Sequence, residues 1–255
     1  MLGKVLTSVR RRLPDVIGRQ DELRRMADSR PPARDFAAAL GSPGCSVIAE
    51  FKRASPSKGI INADMDPRDR ARAFETAGAS ALSVLTEPDH FLGSSHDLRL
   101  ARQETALPIL RKDFTLHPAQ VWETRVIGAD AVLLIVAILE ASLLEELIGT
   151  ASEAGLAALV EVHDESEARR AIEAGADIVG VNNRNLRTFE VDLATSERIA
   201  PLLEGVRVRI AESGINGPSD AARLRSAGYD AVLVGEYLSR SDDPEAAVQG
   251  LREAK

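Results

Sequence analysis

The sequence predicts an α/β fold: a single (β/α)8 (TIM) barrel over residues 1–255, with residues 1–45 as an N-terminal helical extension within it. Three observations carry this expectation. Four segments echo one another, AGASALSVL from Ala77, GADAVLLIV from Gly128, AGADIVGVN from Ala174 and AGYDAVLVG from Ala227, each reading as a helix-ending glycine followed by a buried strand. Four more β-rich runs alternate with them: VIAEFK from Val47, LPILRKD from Leu107, LAALVEV from Leu156 and VRVRIAES from Val206. Eight strands, each followed by a helical stretch at a spacing of about 25 residues, match the length of a closed barrel of about 250 residues. A doubly wound open sheet also alternates strands and helices, but it normally shows a Gly-rich fingerprint after its first strand, and none occurs here.

In chain order, MLGKVLTSVRRRL is basic and has the look of an organelle presequence. Asp15, Asp21 and Glu22 soon restore acidity and no cleavage signal follows, so the stretch reads as a solvated amphipathic helix. The residues before strand one are expected to form helices over the barrel floor or its mouth. Strand one then runs into a Ser-Pro-Ser-x-Gly turn. Helical periodicity follows in DPRDRARAFETAG, PAQVWETRVIG, ASLLEELIGTASEAG, DESEARRAIEAG and GPSDAARLRSAG, several opening on Asp, Ser or Pro where caps and first turns belong. No linker or low-complexity tract divides the chain.

Composition excludes several function classes. Apolar residues make up 44% and charged residues 28%, the balance of a globular protein rather than a disordered one. The longest apolar run, Ala131 to Leu139, is far too short to cross a bilayer. A net charge of −7 offers no basic field for nucleic acid, although a pocket for a small anion needs only local positive groups. The single cysteine, Cys45, reads as packing and suits a reducing cytoplasm.

Polar residues fall at one level of the barrel. Glu50 and Lys52 end strand one, two residues apart and therefore on the same face. Lys112 ends strand three, Glu161 strand five, Asn182 strand six, and Glu212 with Ser213 strand seven. These are carboxyl ends, the catalytic face of such barrels. A lone charge there is usually a solvated rim residue, but five strands delivering ionisable or amide groups together point to an acid-base cluster.

Phosphate has its own signals. Gly214 and Gly235, after strands seven and eight, let backbone N–H groups approach an anion, and Ser55 and Ser57 add hydroxyl donors; ordinary strand-ending glycines are the alternative. Phe91, Phe114, Leu133 and Leu186 can wall a flat aromatic pocket or simply pack the core. Arg184 reads equally as an anion clamp or a surface loop residue. The histidines, His90, His96, His117 and His163, have no metal-ligand spacing and no nucleophile partner motif, so no metal site is expected.

From Arg34 onward the chain resembles the indole-3-glycerol phosphate synthase family through PARDFAAAL, VIAEFKRASPSKG, SVLTEPDHFLGS, LPILRKDF, GADAVLLI, LVEVHDESE, VGVNNRNLRTFEVDL, AESGI and LVGEYLSR. That resemblance implies a cofactor-free carbon–carbon lyase of tryptophan biosynthesis, acting on 1-(2-carboxyphenylamino)-1-deoxyribulose 5-phosphate with loss of CO2 and water. By it, Lys112 is similar to the principal general acid and Glu161 to the carboxylate serving dehydration, their division of labour left open. Glu50 looks like the group that orients the substrate and Lys52 like the one gripping the anthranilate carboxylate. Asn182, Ser213, Arg184 and Glu212 correspond to further contacts. Ser55, Gly214, Gly235 and Glu236 fall where the family binds phosphate, and Phe91, Phe114, Leu133 and Leu186 where it encloses the ring. The implied partner is a small anionic substrate, with no nucleic acid or membrane, and the chain is expected to be a cytoplasmic monomer.

Two positions depart from the family pattern. HPAQVWETR replaces the expected stretch after Lys112, and His90 stands where an aromatic often precedes Phe91. The isomerase that makes this substrate is a rival, but it requires a cysteine base at strand one and an aspartate acid at strand six, where Glu50 with Lys52 and Asn182 stand. A non-catalytic barrel would be favoured by loss of Lys112 or Glu161, and both are present.

Overall fold

Short runs of branched apolar residues form eight parallel strands closed into a ring in the computed structural model, which describes residues 2–41, 44–55, 59–186, 188–241 and 243–254. The strands are β1 (Ser46–Phe51), β2 (Ala81–Leu85), β3 (Ile109–Lys112), β4 (Ala131–Ile135), β5 (Ala157–Val162), β6 (Ile178–Asn182), β7 (Val208–Glu212) and β8 (Ala231–Val234). Neighbours in the ring are neighbours in the chain. Closure comes from β1, which pairs with β2 (Ile48 opposite Ala81) and with β8 (Ser46 opposite Ala231).

Parallel strands need crossovers, and helices supply them. The extension gives α1 (Leu2–Ile17), α2 (Gln20–Asp28) and α3 (Phe36–Leu40). Between strands lie α4 (Pro67–Thr76), α5 (Pro88–Phe91), α6 (Ser95–Glu104), α7 (Pro118–Ile127), α8 (Ala141–Glu153), α9 (Glu165–Glu173), α10 (Ala194–Ile199) and α11 (Pro218–Ser226), and α12 (Glu236–Arg240) and α13 (Pro244–Arg252) follow β8. Asp66 and Asp164 cap α4 and α9 by accepting from the backbone N–H groups of Arg68 and Glu167. The repeated glycines, Gly78, Gly128, Gly175 and Gly228, end their helices at φ of 83°, 98°, 81° and 98°. Side-chain-bearing residues rarely adopt that backbone, which is why the repeat is spelled with glycine.

Alternation along the strands separates two cores. Ile48, Leu110, Leu159, Ile178, Val208 and Ile210 face inward and pack with Phe36, Ala37 and Leu40 of α3, so α3 plugs the floor. Val47, Val84, Val132, Val160 and Val179 face outward beneath the helices. The extension serves both places left open by the sequence: α3 closes the floor, while Leu2 and Val5 of α1 line a cavity at the mouth. Ser8 Oγ lies 3.3 Å from His90 Nε2, and Arg12 pairs with Glu87 at 3.1 Å and with Asp89, which ties α1 to α5.

Some details depart from one plain helix per strand. Two helices follow both β2 and β8, and α10 runs into a 3-10 turn over Ala200–Leu203. The turn after β1 is an antiparallel ribbon, Ala54–Ser55 against Gly59–Ile60. Cys45 is buried packing, as expected. Among the described residues no helix is long and apolar enough to cross a membrane.

Candidate active site

Inward-facing positions are apolar toward the floor and polar at the carboxyl ends of the strands. Glu50, Lys112, Glu161, Asn182 and Glu212 meet there, with Lys52 and Ser213 just beyond β1 and β7, around a cavity of about 430 Å3. That volume suits a small-molecule ligand.

Two ion clusters organise it. Lys52 Nζ lies 2.6 Å from Glu50 Oε1, whose other oxygen accepts from Ser83 Oγ at 3.5 Å. Lys112 Nζ lies 2.7 Å from Glu161 Oε2 and 3.2 Å from Glu212 Oε2, and Asn182 Nδ2 donates to Glu161 Oε1 at 3.2 Å. Burial opposes charge on Lys112, yet Glu161, Glu212 and Glu50 override it and hold its pKa above the ordinary lysine value. Burial likewise opposes ionisation of Glu161, but Lys112 and His163 outweigh it and hold that carboxyl well below its usual range. Glu212 goes the other way. Its burial, with Glu161 beside it, raises its pKa to about 8 against the pull of Lys112. At neutral pH one carboxyl of this neighbouring pair is therefore ionised while the other retains its proton.

The residues expected to bind phosphate reach the same cavity: Ser55, Gly214, Gly235 and Glu236 all line it. Ser57 falls outside the described residues. Ser213 and Gly214 have φ of 65° and 83°, turning the chain sharply after β7, and Asn183 Nδ2 braces that turn by donating to the carbonyls of Glu212 and Ser213. Arg184 is the loop residue that reaches the cavity rather than solvent, 3.7 Å from the Glu236 carboxylate. At Gly235 a Cβ would overlap the Glu50 carboxylate and stand 3.1 Å from Lys52 Nζ, so this glycine makes room for the ion pair, a constraint that its strand-end position hid.

An apolar wall completes the enclosure. Phe91 and Phe114 stand 6.2 Å apart between ring centroids, tilted by 41°, with Leu133 and Leu186 also on the lining. Leu133 serves both alternatives, being part of the inner core and of the cavity wall.

The whole chain also compares closely with known proteins. The family model described as indole-3-glycerol phosphate synthase matches residues 2–251. Indole-3-glycerol phosphate synthase 1 of Streptomyces coelicolor is 48% identical over 253 residues, covering 98% of this chain and 94% of that protein. The synthase of Rhodococcus opacus is 50% identical over 256 residues, with 98% and 94% covered. The chain belongs to the indole-3-glycerol phosphate synthase family. Among solved structures, thiamine phosphate pyrophosphorylase from Pyrococcus furiosus aligns with a TM-score of 0.62 at 19% identity, over 86% of this chain and 97% of that one. At that identity the likeness speaks for the barrel alone.

Within this synthase family fold, both departures from the usual pattern are absorbed locally. In HPAQVWETR, His117 caps α7 by accepting the Ala119 N–H at 3.1 Å. Gln120 accepts from Leu116 N–H at 2.8 Å and donates to the Phe114 carbonyl at 3.0 Å, which fixes the loop carrying the aromatic wall. His90 turns to Ser8 on α1 instead of enlarging that wall. Sequence reasoning missed Leu2 and Val5, whose place on the cavity depends on tertiary docking, and Phe189, Val191 and Asn216 in loops beyond the strand ends. His163, which the sequence marks as neither a metal ligand nor a nucleophile's partner, stands 3.3 Å from Glu161. Its signal was local: two residues after Glu161, it shares the inward parity.

Proposed function

We propose that the chain is the carboxy-lyase of tryptophan biosynthesis that converts 1-(2-carboxyphenylamino)-1-deoxyribulose 5-phosphate to indole glycerol phosphate, CO2 and water without a cofactor. The observation that carries this reading is the Lys112 ammonium, 13% exposed and held between Glu161 at 2.7 Å and Glu212 at 3.2 Å on the wall of the common cavity. The substrate has a phosphate, a ketose chain and a carboxylated ring. Matching groups are the Ser55, Gly214, Gly235 and Glu236 region for phosphate, the ionisable floor for the ketose, and Phe91, Phe114, Leu133 and Leu186 for the ring.

Lys52 pairs with the ring carboxylate, and Glu50 holds Lys52 and orients the chain. Ring closure begins as the carboxylate-bearing aromatic carbon attacks the ketone carbon, and Lys112 protonates the ketone oxygen. A firmly held ammonium proton still transfers, because that oxygen becomes alkoxide-like and more basic than an amine as the new bond forms. The C–CO2 bond then breaks, its electron pair restoring the aromatic ring. Loss of the new hydroxyl as water follows: Glu161 takes the proton released as the double bond forms, the departing oxygen takes its second proton from solvent, and Lys112, now a neutral amine, steadies that oxygen through an N–H. Glu212, the carboxyl that retains its proton near neutrality, together with Asn182, Ser213 and Arg184, supplies hydrogen bonds along the sugar chain. On this reading the enzyme works as a cytoplasmic monomer on a small anionic substrate, with no nucleic acid or membrane partner.

Given that substrate without metal or nucleotide, the purified protein develops indole fluorescence; silence at saturating substrate overturns the assignment. Lys112→Ala lowers kcat by on the order of 10²–10⁴ with a much smaller change in KM, as expected of a group acting in the transition state. Turnover within a few-fold of the parent removes Lys112 from its role.

A further inference from the structure

His163 directly follows β5, and the alternation that turns Leu159 and Glu161 inward carries its ring to the same side. Its side chain is only 10% exposed and lies between two carboxylates, with Nδ1 3.0 Å from Glu167 Oε2 and Nε2 3.3 Å from Glu161 Oε1. Glu167 is itself fixed. Its Oε2 also accepts the backbone N–H of His163 at 2.8 Å, and its own N–H is held by the cap residue Asp164 at 2.8 Å. The first turn of α9 therefore sets the imidazole plane. Toward Glu161 the contact is close but not aligned, and Nε2 is a buried nitrogen without a hydrogen-bond partner among the described residues. Buried polar atoms in that condition call for an explanation.

Proton transfer supplies one. When Lys112 gives up its proton it becomes a neutral amine, and Glu161, fully buried, loses the charge that offset its desolvation. A carboxylate left in that state takes up a proton early and cannot act as a base. We propose that His163 is a positioning residue, a second cation that keeps its own proton through the step and so holds Glu161 ionised and aimed at the substrate while Lys112 is neutral. This rests on the assignment of Glu161 as the carboxylate serving dehydration.

The surroundings fit a retained positive charge. Facing the pair are Lys112 of β3, Asn182 of β6, Glu212 of β7 and Glu167 of α9, with Glu50 of β1 acting through Lys112. The 3-10 turn Val136–Ile138, packed on β5 and α9, contributes no charged side chain, and Arg170 of α9 is engaged by the Leu139 carbonyl. Burial disfavours the imidazolium, but Glu161 and Glu167 override it and raise its pKa to about 10.

The test compares kcat and KM against pH for the parent, His163→Ala, His163→Gln, Glu167→Gln and Glu161→Gln. Removing the cation raises the Glu161 pKa, so the acid limb of kcat moves upward. For His163→Ala we expect kcat at neutral pH to fall about tenfold or more, KM to stay within about twofold, and the acid limb to rise by about one pH unit or more. His163→Gln, a neutral donor of similar reach, keeps the displaced limb, and Glu167→Gln moves it less. An unmoved acid limb in His163→Ala, or full restoration by His163→Gln, overturns the proposal while leaving the Glu161 assignment intact. Parent-like turnover in Glu161→Gln overturns that assignment and the proposal together. A readout free of variant folding is the ring 15N resonance of His163 in the parent, identified by its loss in His163→Gln. It stays that of an imidazolium through pH 8; a neutral ring at pH 7.5 overturns the proposal.

Discussion

At the scale of single residues, two glycines show how tightly the site is assembled. Gly180 lies in β6 between the inward positions of Ile178 and Asn182, with the same parity. A Cβ there would overlap the Glu212 carboxylate and come to 3.0 Å from Leu159 Cδ1, so its hydrogen is what admits Glu212 to the cluster. Gly180→Ala is expected to push Glu212 off Lys112, lowering kcat by about tenfold or more with KM less affected, read by steady-state kinetics alongside a circular dichroism check of the fold. Gly235→Ala is different: its Cβ meets the Glu50 carboxylate and Lys52, to which the proposed function gives substrate contacts in both ground and transition states, so KM rises and kcat falls together. Neither role was legible from sequence. Gly180 reads as an ordinary strand residue because the atom that forbids a side chain comes from the neighbouring strand. Gly235 reads as an anion-binding or an ordinary strand-ending glycine because Glu50, far away in the chain, had no visible relation to it.

At the scale of elements, what the sequence revealed and what it hid divide along locality. The strands were legible because alternation and the Gly78, Gly128, Gly175 and Gly228 helix ends are encoded within a few residues of each strand. Lys112, Glu161, Asn182 and Glu212 were legible for the same reason, since position at a strand end already fixes level and face in a barrel. Docking was not. Whether the extension covers floor or mouth depends on contacts with residues far along the chain, and it covers both. The short helix α3 is the clearer case. Phe36 and Leu40 are almost fully buried in the ring of inward residues, and the helix begins where Asp35 accepts the Ala38 N–H at 2.9 Å. Leu40→Ala leaves a cavity under the barrel that the rigid strands close poorly, at a cost of about 2–5 kcal/mol. At this chain length the melting temperature should drop by roughly 5–15 °C, by calorimetry, with KM at room temperature unchanged because the floor lies at the end of the barrel remote from the cavity. An unchanged melting temperature would mean that α3 is not the plug.

For the whole molecule, the barrel folds around charges it could have left in water, and that leaves a signature in its stability. Lys112, Glu161, Glu212 and His163 stay together only because the strands hold them against mutual repulsion and desolvation. Two of these groups bind protons more tightly folded than unfolded across the physiological range: Glu212, raised from 4.5 to about 8, and His163, raised from 6.5 to about 10. For His163 the stabilising contribution is complete below pH 6.5 and is lost as pH climbs toward 10. For Glu212 stability falls as pH rises from 4.5 to about 8, because the unfolded chain gains by ionising this carboxyl while the folded chain holds it protonated. The signs agree, so stability falls with rising pH between neutrality and about 9.5. Glu161, held low by its cations, contributes in the opposite sense only in acid, its share being present above 4.5 and lost as pH falls through its folded value. Melting temperatures measured from pH 6 to 9.5 at fixed ionic strength should therefore decline, more shallowly in Glu212→Gln, which cannot ionise, and in His163→Gln, which has no proton to lose. A flat profile in the parent, or parallel profiles in all three proteins, would mean that these buried groups do not carry the proton linkage assigned to them.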